Sequence, residues 1–123
     1  MQTILVVEDE LPIAEMVIAI LGYAGYKVVV VGNGQEALAS LEDLRPDLIL
    51  SDIMMPVMDG RELCKRLQAH PEHNSIPLVL MSAVHNPNNL DGCKHAEFVK
   101  KPFTVEELLD AVSKIIDEGS VSS

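Results

Sequence analysis

The chain has 123 residues, enough to bury one core without disulfide staples and the natural size of a single domain. Its composition is that of a globular protein, 48% hydrophobic with few aromatics. The net charge of −10 repels nucleic-acid phosphates and anionic membrane surfaces, so neither is expected as a direct partner.

Thr3 to Val7 is a short β-branched apolar run, the pattern of a buried strand. Pro12 suits the first turn of a helix whose inner face is Ile13, Val17, Ile20 and Leu21. "KVVVV" (27–31) predicts a second strand, stopped by Gly32-Asn33-Gly34. Gln35 to Leu44 predicts a helix with Ala37, Leu38 and Leu41 inward, broken by Arg45-Pro46. Leu48 to Ser51 is the third strand. Asp59, with Glu62 three residues on, reads as the capping box of a helix from Gly60 to Gln68. Leu78 to Met81 and Glu97 to Val99 are strands four and five. Thr104 and Glu107 cap a last helix with Leu108, Leu109, Val112 and Ile116 facing in. Strands this apolar, alternating with helices, predict a doubly wound α/β domain whose five-stranded parallel sheet is covered on both faces. The domain is expected over 1–118, with 119–123 a flexible tail or the start of a linker.

No apolar run is long enough to span a bilayer, and the amino terminus lacks the basic region of a signal peptide, so a cytoplasmic protein is expected. Cys64 and Cys93 form no metal-binding pair and are expected as reduced thiols. His70, His73, His85 and His95 lie in two polar loop regions and read as solvated.

Ligands of such sheets bind beyond the carboxyl ends of the strands. Strand one delivers Glu8 and Asp9 there, strand three Asp52, strand four Ser82 and strand five Lys101. Two carboxylates about 4 Å apart repel by roughly 4 kcal/mol at an effective dielectric of 20. One lysine cannot neutralise three acids, whereas Mg²⁺ suits an all-oxygen cluster, and carbonyls of the loop after Asp52 can add a ligand. A carboxylate so held is a nucleophile toward phosphorus, with the metal, Lys101 and Ser82 opposite the phosphoryl oxygens. The bland reading of each residue taken singly is a helix cap, a turn residue or a solvated lysine; their shared edge favours the site. No nucleotide-binding glycine loop is evident, so the phosphate donor is expected from outside.

The blocks "ILVVEDE", "DIMMPVMDG", "LVLMSA" and "FVKKPF" stand in the order in which the receiver domain of two-component response regulators carries them. The chain resembles that family over about residues 2–118. The resemblance implies the strand order 2-1-3-4-5. It implies that Asp52 accepts phosphate from a histidine kinase or phosphotransfer protein, and that the chain catalyses only its own phosphorylation and slow dephosphorylation. It further implies that Glu8, Asp9, Asp52 and the backbone carbonyl of Met54 hold Mg²⁺, and that Lys101 pairs with Asp52 and then with the phosphoryl group. Ser82 and Phe98 become the switch pair, and Lys101-Pro102 a cis peptide. The phosphorylated domain would act on a downstream protein or a linked output domain.

Glu8 stands where the family more often has Asp, and its longer arm suggests binding through water. Phe98 lacks the hydroxyl of the more frequent Tyr, so its switching rests on packing. Met54 and Val84 cannot orient an attacking water, which predicts slow loss of phosphate. "VHNPNNLDGCKHAE" has no apolar helical period and is about a turn short, so the fourth helix is expected to be shortened or irregular. That weakens the case for dimerisation through its face. The alternative function is a pseudo-receiver that binds partners without phosphorylation. A haloacid-dehalogenase-type phosphatase would want an Asp where Met54 stands, and a flavin site would want hydroxyls and glycines where Glu8 and Asp9 stand.

Overall fold

The computed structural model describes residues 2–83 and 97–121. Five strands, β1 (Thr3–Val7), β2 (Lys27–Val31), β3 (Leu48–Asp52), β4 (Leu78–Ser82) and β5 (Glu97–Lys100), form one parallel sheet in the order β2-β1-β3-β4-β5. Among the described residues four helices cover it: α1 (Leu11–Tyr23), α2 (Gly34–Ser40), α3 (Gly60–Ala69) and α4 (Val105–Val121). The expected fold class and strand order are therefore those found.

The sheet has an apolar core on each face, as strands apolar on both sides require. On one face Ile4, Val6, Leu48, Leu50, Val79 and Met81 pack against Val17 and Leu21 of α1 and Leu108, Val112 and Ile116 of α4. On the other, Leu5, Val7, Ile49 and Leu80 meet Ala37 of α2 and Leu63, Cys64 and Leu67 of α3. The central strands β1, β3 and β4 are buried at nearly every position. The alternation of side chains between faces thus divides each strand evenly between the two cores.

Capping follows the local chemistry, with one exception. Thr104 Oγ1 accepts from Glu107 N at 3.0 Å and Glu107 Oε1 accepts from Thr104 N at 2.9 Å, a complete capping box. Asp59 Oδ1 accepts from both Arg61 N and Glu62 N at 3.0 Å. The expected return bond from Glu62 is replaced by a contact with Arg66 Nε at 3.7 Å, one turn along the helix. An exposed carboxylate there gains as much from an i,i+4 cation as from closing the box. A cap not anticipated from the sequence sits at α2, where Asn33 Oδ1 accepts from Glu36 N at 2.9 Å.

Three expectations are corrected. Helix α2 ends at Ser40 rather than Leu44, and residues 41–43 form a turn, consistent with the bias of Pro46 against helix just before it. The last helix runs to Val121, so positions 119–121, expected as tail, continue it; one glycine costs an established helix only about 1 kcal/mol. Cys64 is buried on α3 and disulfide-bonded rather than a reduced thiol. Cys93, the expected fourth-helix segment from Val84, and His85 and His95 lie outside the described residues. No described helix is long and apolar enough to cross a membrane.

Candidate phosphoacceptor site

Ladder hydrogen bonds that run just past the strand ends build the site. Glu8 N donates to Val31 O at 3.0 Å, Ile53 N to Met81 O at 3.0 Å and Lys101 N to Ser82 O at 2.9 Å. They hold the last residues of β1, β3, β4 and β5 in strand geometry up to one edge. In the register Asp52 lies beside Met81, and Ser82 beside Lys100. Asp52 is therefore the final residue of β3, where the sequence had ended the strand at Ser51. It is buried at 4% exposure, as Ser82 is at 2% and Glu8 at 3%.

Lys101 closes the cluster from the far side of the chain. Its Nζ lies 3.0 Å from Asp52 Oδ2 and 2.9 Å from Glu8 Oε1. The peptide bond to Pro102 is cis, as the resemblance implied. The contact with Glu8 was not anticipated. Burial opposes the charge on Lys101, but its hydrogen bonds to Glu8 and Asp52 and their negative charges outweigh this and raise its pKa. Burial likewise raises the pKa of Glu8, assisted by the Asp52 charge and opposed by the bond from Lys101. The second Glu8 oxygen, Oε2, accepts from Glu10 N at 3.2 Å.

Glu8, Asp9, Glu10 and Asp52 each bring a carboxylate oxygen within 4.8 Å of the others. Asp9 and Glu10 are exposed, Glu8 and Asp52 buried. Four acids facing one ammonium leave a strong negative excess. Oxygen donors alone, two of them open to water, are the donor set that a hard divalent cation takes. The residues present thus fit Mg²⁺.

Glu10 is the member that sequence reasoning missed. It occupies the N-cap position of α1, yet its side chain makes no cap hydrogen bond. With Asp52, Met54, Ser82 and Lys101 it lines a cavity of about 300 Å³. Its signal was a third consecutive acid, masked by the ordinary preference for acids near helix starts. Phe98 is half-buried and packs on the α2–α3 side of the sheet, paired in register with Leu80, two positions before Ser82 on β4.

This fold with an acidic cluster, a hydroxyl and a lysine at one sheet edge defines a class of protein. Residues 4–113 match the family model of the response regulator receiver domain, and the chain belongs to that family. It is 36% identical over 118 residues to the phosphate regulon transcriptional regulatory protein PhoB of Pseudomonas aeruginosa, covering 94% of this chain and 52% of that protein. The chain spans about half the length of the curated relatives it matches. Among solved structures it resembles the signal receiver domain of a histidine kinase from Syntrophus aciditrophicus, with TM-score 0.89, 36% identity and coverage of 96% of this chain and 92% of that one. A second is the receiver domain of the sensor histidine kinase PA1611 of Pseudomonas aeruginosa, described with a magnesium ion coordinated in its active-site cleft. There the TM-score is 0.84 at 32% identity, covering 94% of this chain and 98% of that one.

Proposed function

We propose that this domain is a phosphoacceptor signalling switch in which Asp52 takes a phosphoryl group from a histidine kinase or phosphotransfer protein. The observation that carries the reading is the position of Lys101 Nζ, 3.0 Å from the last carboxylate of a buried strand and beside a second buried acid. A purely structural ion pair would need no cavity at the same aspartate, and this one opens into the cavity lined by Ser82 and Met54.

In this reading the chain supplies position and charge. Asp9, Asp52 and the Met54 carbonyl would hold Mg²⁺, with Glu8 acting through water. The ion would neutralise charge on the phosphoryl oxygens as they transfer. Lys101 holds one Asp52 oxygen and leaves the other to attack phosphorus. The phosphorus–nitrogen bond of the donor breaks as the Asp52 oxygen–phosphorus bond forms, and the donor imidazole leaves with the electron pair. The charge and acceptor oxygens gained at Asp52 favour an inward Ser82 hydroxyl, and Phe98 follows by packing. The domain reaches through the last helix to Val121, acts in the cytoplasm and passes its state to a downstream protein or a linked output domain. With Met54 lining the cavity at the acceptor and unable to orient an attacking water, loss of phosphate is slow.

Incubation with acetyl phosphate and Mg²⁺, followed by intact-mass measurement, tests the reading. Native protein should gain one phosphoryl mass and Asp52→Asn should gain none. No mass gain on the native protein would favour a binding module that works unphosphorylated.

A further inference from the structure

The loop after the acceptor strand carries Met54, Met55 and Met58. Met55 and Met58 pack against the core on the α2–α3 side of the sheet, and Met81 on β4 is 0% exposed. Met54 differs from all three. It is 64% exposed and lines the cavity of about 300 Å³ that it shares with Asp52, Ser82 and Lys101. The other exposed methionine, Met16 on α1, does not line that cavity. A thioether is a weak hydrogen-bond acceptor, so this wall offers an attacking water no directed partner. Glu10, which lines the same cavity, belongs to the carboxylate cluster that fits the cation. Oxidation to the sulfoxide makes the Met54 wall polar and gives it an acceptor oxygen.

Resting on the phosphoacceptor reading, we infer that Met54 is a site of reversible oxidation by hydrogen peroxide that sets the lifetime of the Asp52 acyl phosphate. A lone pair on the thioether sulfur attacks one peroxide oxygen. The O–O bond breaks, and the other oxygen leaves as water with both protons. Sulfur gives up two electrons and the peroxide gains them. Methionine sulfoxide reductases reverse the change. The new sulfoxide oxygen accepts a hydrogen bond from water in the cavity and directs that water at phosphorus. The bond from the water oxygen to phosphorus forms as the bond from phosphorus to Asp52 breaks. Asp52 leaves as the carboxylate with the electron pair, and inorganic phosphate carries off the water's protons. The Met54 carbonyl proposed for the cation belongs to the main chain, and side-chain oxidation leaves it unchanged.

The test compares wild type with Met54→Leu, which keeps the bulk at this exposed position and removes the oxidisable sulfur. Each is loaded with acetyl phosphate and Mg²⁺, freed of donor and divided, and one half receives hydrogen peroxide. Intact mass follows loss of the phosphoryl group, and peptide mass spectrometry locates the sulfoxides. In wild type Met54 should oxidise well ahead of Met81. The treated half should lose phosphate about fivefold faster than the untreated half, the factor by which one added hydrogen bond to the attacking water speeds the step. In Met54→Leu the two halves should lose phosphate at equal rates. A Met54 that resists peroxide, a sulfoxide there without faster loss, or equal acceleration in Met54→Leu would overturn the inference and leave the phosphoacceptor reading standing. Wild type that never takes up the phosphoryl group would sink that reading and the inference with it.

Discussion

At the scale of single residues, Glu8 carries the clearest pH signature. Its pKa in the folded chain is raised from the ordinary 4.5, chiefly by burial. A group so shifted contributes most to stability below its unfolded pKa, and that contribution is lost as pH rises through the folded value. In metal-free protein the unfolding free energy of Glu8→Gln should therefore gain on that of wild type as pH climbs from 4.5 toward neutrality. Urea titrations at a series of pH values measure the gap; a gap constant with pH would show that the buried carboxylate is not strained by desolvation. Val57 is a different kind of residue-scale tension. It is β-branched, 77% exposed and sits at φ 67° in the loop after the acceptor. An L-residue in the left-handed region costs roughly 1–2 kcal/mol, and an exposed valine returns little of this by packing. Val57→Gly should stabilise the fold by about 1 kcal/mol, after the entropy that glycine adds to the unfolded chain is subtracted. An equal or lower urea midpoint would refute the strain.

At the scale of elements, the start of α3 ties helix to acceptor strand. A Cβ on Gly60 would stand 2.5 Å from Asp52 O and 2.8 Å from Ile53 Cα, both backbone atoms that cannot step aside. Gly60 N also donates to Ile53 O at 2.8 Å. Gly60→Ala should thus push the helix off the end of β3, destabilise the protein by about 2 kcal/mol or more, and slow phosphorylation of what remains folded. Thermal unfolding and the acetyl phosphate assay report the two effects together. Much at this scale was legible beforehand. The box of Thr104 and Glu107, the Asp59 cap and the inner faces of α1 and α4 follow from short-range spacing, and short-range spacing is written along the chain. The end of α2 was misread because its last turn is decided by competition with Pro46 and by packing, not by its own apolar positions.

At the scale of the whole molecule, the charge of −10 and the four clustered carboxylates lead to one expectation. A divalent cation that binds only the folded state stabilises it by mass action. Mg²⁺ at a hundred times its dissociation constant should add about 2.7 kcal/mol to stability, raising the thermal midpoint by several degrees. Asp9→Asn and Asp52→Asn should blunt that rise, while matched ionic strength from NaCl should not reproduce it. Equal shifts with NaCl would mean simple screening of net charge.

What the sequence alone determined is whatever depends on neighbours along the chain or on their order: five apolar strands alternating with helices, a two-faced parallel sheet, and a set of polar residues at the strand ends with Asp52 among them. What only the tertiary structure decided is who touches whom at that edge. Glu8 and Lys101 are 93 positions apart, and no local rule relates them. Their bond at 2.9 Å exists because β1 and β3 adjoin, β3 and β4 adjoin, and β5 ends level with β4. The same holds for the turning of the Glu10 carboxylate toward the cluster. Distances of a few ångströms between remote residues are set by the register of the sheet, and register is fixed by the simultaneous packing of both cores rather than by any one segment.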